Sequence, residues 1–108
     1  MDPLQLLLTV ADTAGRTRHI SVSGDLDVAT AAQLSDMLLG FIEDGILLIV
    51  LDLTGVEFLD SSGLQVLVDA GSRLEARDGQ LVIEGMSGAA QRILEITGLI
   101  DRYRRTPE

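Results

Sequence analysis

The sequence predicts an α/β fold, a sheet whose strands are joined by right-handed helical crossovers. Three observations carry that expectation. Strand-like and helix-like periodicities alternate along the chain in the order β-β-α-β-α-β-α-β. The run Ile46 to Leu51, ILLIVL, is short and continuously apolar, as in a strand covered on both faces. Hydrophobic residues make up 46% of 108 residues, enough for one packed core. A single domain over residues 1–108 is expected, since no linker, repeat or low-complexity segment interrupts it.

Leu4 to Ala11 reads as the first strand, with Leu6, Leu8 and Val10 alternating along one face. Asp12-Thr13-Ala14-Gly15 is turn-like, and Arg18 to Ser23 alternates again with Ile20 and Val22 inward, so the pair reads as a hairpin. Gly24-Asp25-Leu26-Asp27 breaks that strand. Asp27 is placed to cap a helix, because its carboxylate can accept from the free amides of a first turn. Ala31, Leu34, Leu38 and Ile42 then share one helical face with Phe41 beside them, and Asp44-Gly45 ends the helix.

After the buried strand at Ile46 to Leu51, DLTGVEFL is expected as a loop. The next helix opens at Asp60-Ser61-Ser62-Gly63 and buries Leu64, Leu67, Val68, Gly71 and Leu74. Asp78-Gly79 is a turn and Gln80 to Glu84 a strand. Ala89 to Thr97 is a third helix with Ile93, Leu94 and Ile96 apolar and Gly98 as its stop signal. Leu99 to Arg104 reads as a last short strand.

Composition excludes several functions. There is no cysteine, so disulfide scaffolds, thiolate metal sites and cysteine nucleophiles are out. A formal charge of -9 argues against a nucleic-acid or anionic-membrane surface and suits a partner with a basic docking patch. All eight basic residues are arginine, and without a lysine there is no P-loop for autonomous ATP hydrolysis. PLQLLLTVA is far shorter than the ~20 residues of a membrane span. It is preceded by Asp2 and has no basic leader, so a cytosolic protein without membrane insertion is expected.

His19 is the sole histidine, and a triad with Ser61 would have to recruit it from within a strand. Asp27, Asp52 and Asp60 lack a recognised metal-ligand spacing, and the reading calls for no metal and no cofactor. DRYRR near the C-terminus reads as a solvated basic tail, with partner contact as the lesser reading.

The stretch Asp60-Ser61-Ser62-Gly63 has a bland explanation. Asp and Ser are preferred helix caps, and Gly63 tolerates a tight turn. Three details point further. The stretch follows a buried strand, where open α/β sheets carry their sites. A hydroxyl at a helix N-terminus sits beside amides that favour an added anion. Asp27 opens another helix after a strand, so parallel strands in one sheet would bring Asp27 and Ser61 to the same end.

These residues also carry a resemblance. GDLDVATAAQL, Gly24 to Leu34, is similar to the G-E-L-D-x-x-T segment of STAS domains, with Asp25 in place of the usual glutamate. VLDLTGVEFLDSSGLQVLVDA, Val50 to Ala70, resembles their D-L-x-x-V-x-F-x-D-S-S-G-L segment, and RILEITGLIDRY, Arg92 to Tyr103, their closing helix-Gly-Leu stretch. Within that family the chain most resembles the SpoIIAA-like anti-sigma factor antagonists, bacterial regulators of stress and sporulation sigma factors. The resemblance implies a STAS-like mixed sheet flanked by helices and a non-enzymatic, phosphorylatable binding module.

It maps the phosphoacceptor to Ser61 and a partner-binding surface to Asp27, Thr30, Asp60, Ser61, Ser62 and Gly63. The unphosphorylated form would bind an ATP-dependent anti-sigma factor serine kinase of histidine-kinase-like fold and free the sigma factor. Phosphorylation would end that contact, and a PP2C-type phosphatase would reset it. The competing readings are a non-phosphorylated STAS subunit of a transporter or lipid-transport complex, a stressosome-type component, and a hydrolase using Ser61.

Overall fold

A computed structural model describes residues 6–11 and 15–103. Its elements are β1 (Leu7–Ala11), β2 (Thr17–Leu26), α1 (Ala31–Glu43), β3 (Leu48–Leu59), α2 (Ser61–Glu75), β4 (Gln80–Met86), α3 (Gly88–Thr97) and α4 (Leu99–Tyr103). The strands form one mixed sheet in the order β1-β2-β3-β4. β1 pairs antiparallel with β2, whereas β2–β3 and β3–β4 are parallel. The expected hairpin and α/β alternation are therefore present. Leu4, Gln5, the turn at Asp12-Thr13-Ala14 and the tail from Arg104 lie outside the described residues.

The core follows from strand alternation and helical spacing. Ile20 and Val22 of β2, Ile49, Leu51 and Leu53 of β3, and Leu81 and Ile83 of β4 join Leu34, Leu38 and Ile42 of α1 and Leu67, Ala70 and Leu74 of α2 in one cluster. Stepping β2→β3→β4 in one direction with right-handed crossovers puts α1 and α2 on the same face, where they pack against each other. On the other face His19, Val50 and Val82 share a row. The expectation that ILLIVL is a strand covered on both faces holds for its second half: Ile49, Val50 and Leu51 are all at or below 1% exposure, whereas Ile46 and Leu47 precede β3 and Leu48 is half-buried. β1 sits at the sheet's edge, so its inward face fades from Leu6 at 5% exposure to Val10 at 39%.

Three expectations change. DLTGVEFL is not a loop: β3 runs on to Leu59. Its positions in the main core cluster, Ile49, Leu51, Leu53, Val56 and Leu59, step by two and then by three. Each step of three coincides with a register shift against β2, between Ser21 and Ser23 and again between Gly24 and Asp25. These are β-bulges, which break the alternation that marks a strand. β2 likewise continues through Gly24 to Leu26.

The last element is a helix rather than a strand. Gly98 ends α3 in the left-handed region at φ 78°, and Ile100 and Tyr103, three residues apart, are the positions that α4 buries. Of the apolar residues read in α3, Leu94 is buried and Ile96 is 74% exposed.

α4 docks on α2. Tyr103 is buried against Gly71, and Arg102 pairs with Glu75 at 2.8 Å. Burial pushes the Tyr103 phenol above its ordinary pKa, an effect that the neighbouring Arg102 opposes. A Cβ on Gly71 would stand 2.8 Å from both Cε1 and Oη of Tyr103, whereas a Cβ on Gly40, inside α1, meets nothing within 4 Å.

The two glycines should therefore respond oppositely to alanine. Gly40→Ala is expected to stabilise the chain by about 0.5–1 kcal/mol through helix propensity. Gly71→Ala is expected to destabilise it, because overpacking of about 1–3 kcal/mol exceeds that gain. Urea denaturation of the two variants reads both signs.

Candidate functional site

The parallel pairing of β2 and β3 ends at Leu26 opposite Leu59, and the Asp60 amide donates to the Leu26 carbonyl at 3.3 Å. The residues after each strand therefore start side by side, one strand spacing of about 4.8 Å apart. Asp27 and the Asp60–Ser61 step converge at one end of the sheet, as the sequence implied. β3 passes into α2 with Asp60 as the sole intervening residue, while β2 reaches α1 through a four-residue turn, Asp27 to Thr30.

Asp60 is the N-cap of α2. Its backbone is extended, and Oδ1 accepts from the Ser62 amide at 2.9 Å and the Gly63 amide at 3.3 Å. Ser61 is thus the first helical residue and not the cap. It is exposed, and its hydroxyl makes no hydrogen bond within the described residues. Ser62 is half-buried. Gly63 is buried, and a Cβ there would lie 2.6 Å from Leu59 Cδ1, 2.7 Å from Leu26 Cγ and 2.9 Å from the Leu26 carbonyl oxygen. Only glycine lets α2 start this close to the strand ends.

Asp27 is not the cap of α1; Thr30 holds that position, without a side-chain cap bond. Asp27 instead closes the turn in front of the helix. Its Oδ1 accepts from the amides of Ala29 at 2.9 Å and Thr30 at 3.2 Å. Thr30 is 1% exposed. Its hydroxyl donates to the Asp25 carbonyl at 2.6 Å and accepts from the Asp27 amide at 3.1 Å. Of the six residues expected at the partner surface, Asp27, Asp60, Ser61 and Ser62 retain accessible surface, whereas Thr30 and Gly63 act from beneath by shaping the two loops.

The surroundings are acidic. Between Arg18 and Arg73 the sequence holds no lysine or arginine. Ser61 has no histidine near it: His19 pairs with Val50, and the seven steps from His19 to Leu26 span roughly 23 Å. His19 faces Glu84 at 4.0 Å instead. Asp52 is engaged in the sheet, where Oδ1 accepts from both the amide and the hydroxyl of Thr54. Among the described residues no three His, Cys, Asp or Glu side chains gather into a metal-binding group.

A groove of about 320 Å³ lies elsewhere, between the C-terminal turns of α1 and α2, lined by Leu39, Ile42, Glu43, Arg73, Ala76 and Arg77. Twelve helical steps, about 18 Å, separate Arg73 from Ser61. Its cations are committed, Arg73 to Asp69 and Arg77 to the Ile42 carbonyl. The groove is concave but not built for an anion, and the converging loops at Ser61 are the better candidate.

Sequence reasoning missed the packing of Gly63 on Leu26 and Leu59, which no local pattern encodes. It also missed the outward exposure of Val28 at 80% and Phe58 at 50%. The signal for Phe58 was available: Glu57 and Phe58 lie between the buried positions Val56 and Leu59, an interval too long for plain alternation.

The STAS domain family model matches residues 9–106. An anti-sigma-B factor antagonist from Listeria monocytogenes is 41% identical over 88 residues, covering 79% of this chain and 76% of the relative. One from Staphylococcus aureus is 36% identical over 89 residues, covering 82% of each. The crystal structure of an anti-sigma factor antagonist from Mycobacterium paratuberculosis superposes with a TM-score of 0.82 at 29% identity, covering 95% of this chain and 86% of that one.

The geometry ranks three substitutions by their effect on stability. Ser61→Ala should stay within about 0.5 kcal/mol of the parent, since the hydroxyl holds nothing. Asp60→Ala should lose about 0.5–2 kcal/mol with the cap. Gly63→Ala should lose about 1–3 kcal/mol, because the new Cβ meets backbone as well as side chain. Denaturant melts give the order directly, and equal losses at Ser61 and Asp60 would reverse the assignment of the cap.

Proposed function

The chain belongs to the STAS domain family, and from that membership we propose that it is a cytoplasmic anti-sigma factor antagonist, a binding module rather than an enzyme, switched by phosphorylation of Ser61. The observation that carries this reading is the contrast within Asp60-Ser61-Ser62-Gly63. Asp60 and Gly63 build the helix start, while Ser61 is exposed and structurally idle. A modification there need not disturb the fold.

In this reading the unphosphorylated chain binds an ATP-dependent anti-sigma factor serine kinase of histidine-kinase-like fold, and the sigma factor is released. The Ser61 hydroxyl then loses its proton, its oxygen bonds to the γ-phosphorus of the kinase's ATP, and ADP leaves. A PP2C-type phosphatase hydrolyses the ester and restores the hydroxyl.

The electrostatics favour release after transfer. A phosphate adds about -1.5 to -2 charges near neutral pH. Helix amides ordinarily welcome an anion, but those of Ser62 and Gly63 already serve the Asp60 carboxylate. The new charge therefore arrives next to Asp60 and near Asp27 with little compensation from its own chain. A loss of about 1.4 kcal/mol at a fitted interface weakens binding tenfold.

Incubation with the kinase and ATP, followed by site-resolved mass spectrometry, should place phosphate on Ser61 with Ser62 minor or silent. Ser61→Ala should bind the kinase and resist release by ATP. Phosphate found mainly on Ser62 would refute the assignment.

Asp27→Asn separates charge from structure, because an Asn Oδ1 can still accept from the Ala29 and Thr30 amides. Its melting temperature should stay nearly unchanged while single-turnover phosphorylation slows or kinase binding weakens. A lower melting temperature with an unchanged rate would make Asp27 purely structural.

A further inference from the structure

Two of the exposed large apolar side chains flank the phosphoacceptor end. Val28 is 80% exposed in the turn between β2 and α1, next to Asp27, and Phe58 is 50% exposed two residues before Asp60. The exposure of Phe58 is a product of the fold. Val56 and Phe58 take up the partners of Gly24 and Asp25, so β3 carries one residue more than β2 at that point. The bulge leaves Glu57 and Phe58 both outward, while Leu59 returns to the core. Phe58 lies opposite Asp25, itself exposed.

Each apolar group is next to carboxylates in chain or register, Val28 beside Asp27, and Phe58 beside Glu57, opposite Asp25 and two residues before Asp60, in a stretch without a single lysine or arginine. An apolar centre with a rim of one charge is the anatomy of a protein-docking surface. The rim also selects the occupant. Another copy of this chain, at a formal -9, would bring carboxylates to carboxylates, whereas a partner with basic side chains around an apolar pocket would be complementary in both respects.

We propose that Phe58 and Val28 are the apolar anchors by which the anti-sigma factor kinase holds this chain, seated in a socket ringed by arginine or lysine. The inference rests on the reading of the chain as an antagonist and adds to it. Binding energy is concentrated on a bulge-presented phenylalanine and a turn valine, and Ser61 lies beside the grip.

The test measures the dissociation constant of the source organism's purified kinase for the full chain carrying Phe58→Ser, Val28→Ser or, as apolar controls away from that end of the sheet, Val10→Ser, opposite Ile20, and Ile96→Ser. All four parent side chains are exposed. Each variant is first checked by thermal melt, and Val28→Ser, at the most exposed position, guards against a folding defect at Phe58. Phe58→Ser should weaken binding about tenfold or more, as a hot-spot truncation does. Val28→Ser should weaken it about threefold, and the controls should bind like wild type. The slope of affinity against salt should be unchanged in Phe58→Ser, because the acidic rim remains.

Binding of Phe58→Ser and Val28→Ser within about twofold of wild type would overturn the proposal, while Ser61 phosphorylation in the same samples would leave the antagonist reading standing. Wild type that neither binds nor is phosphorylated would overturn both. Sedimentation velocity of the chain alone covers the remaining occupant: a dimer abolished by Phe58→Ser would mean that a second copy fills this surface, and the proposal would fall.

Discussion

The site depends on one contact, the start of α2 lying on the ends of two parallel strands. Leu26 and Leu59 finish β2 and β3 in register, and Gly63 rests against both with no room for a methyl group. This contact joins the sheet, which places Asp27, to the helix, which places Asp60 and Ser61. The carboxylate of Asp60 completes the joint by holding the Ser62 and Gly63 amides from the strand side. A larger residue at position 63 would lift α2 off the strands and separate the two loops. The backbone geometry of the site is thus fixed by packing and capping beneath it, and the surface residues are left free to vary in charge and modification.

Much of this was legible because the periodicities are strong where packing is regular. ILLIVL announces a strand buried on both faces, and Leu34, Leu38 and Ile42 announce a helix face, since each repeats at its element's own period. The second half of β3 was not legible as a strand for a physical reason. Two bulges each insert a residue, so the buried set steps by three from Leu53 to Val56 and from Val56 to Leu59. A pattern with period three in a segment containing Thr54 and Gly55 resembles a loop more than a sheet. The terminal helix reads as a strand in sequence because LIDRY is too short for its period to be distinctive. What decides it is tertiary: Tyr103 fits over Gly71, thirty-two positions earlier in the chain.

The site was legible in its members but not in their division of labour. Residue type alone makes Asp27, Asp60 and Ser61 equivalent helix-start residues. The structure separates them. Asp60 caps, Asp27 ties a turn four positions ahead of the first residue of its helix, and Ser61 does neither. Thr30 looks like a surface hydroxyl in the sequence, yet it is buried and fully engaged with the Asp25 carbonyl and the Asp27 amide. Such assignments depend on where β2 stops, and β2 runs three residues beyond Ser23, where its sequence alternation ends.

The bulge that hid the strand also bears on how a single phosphate would act in the proposed switch. A surface that was acidic throughout would bind a basic partner through solvated ion pairs, each worth about 0.2–1 kcal/mol, and a phosphate added to it would be one more attractive anion. With Phe58 and Val28 at its centre, as proposed, the interface would exclude water when it forms. A doubly charged group at Ser61 must then shed its hydration on the bound side, at a cost of several kcal/mol unless the partner supplies matched cations in the right places. Two of the helix amides that would ease this, those of Ser62 and Gly63, are held by Asp60. An apolar centre beside an idle hydroxyl therefore makes the proposed modification repulsive to a partner whose basic rim, on charge alone, would have welcomed it.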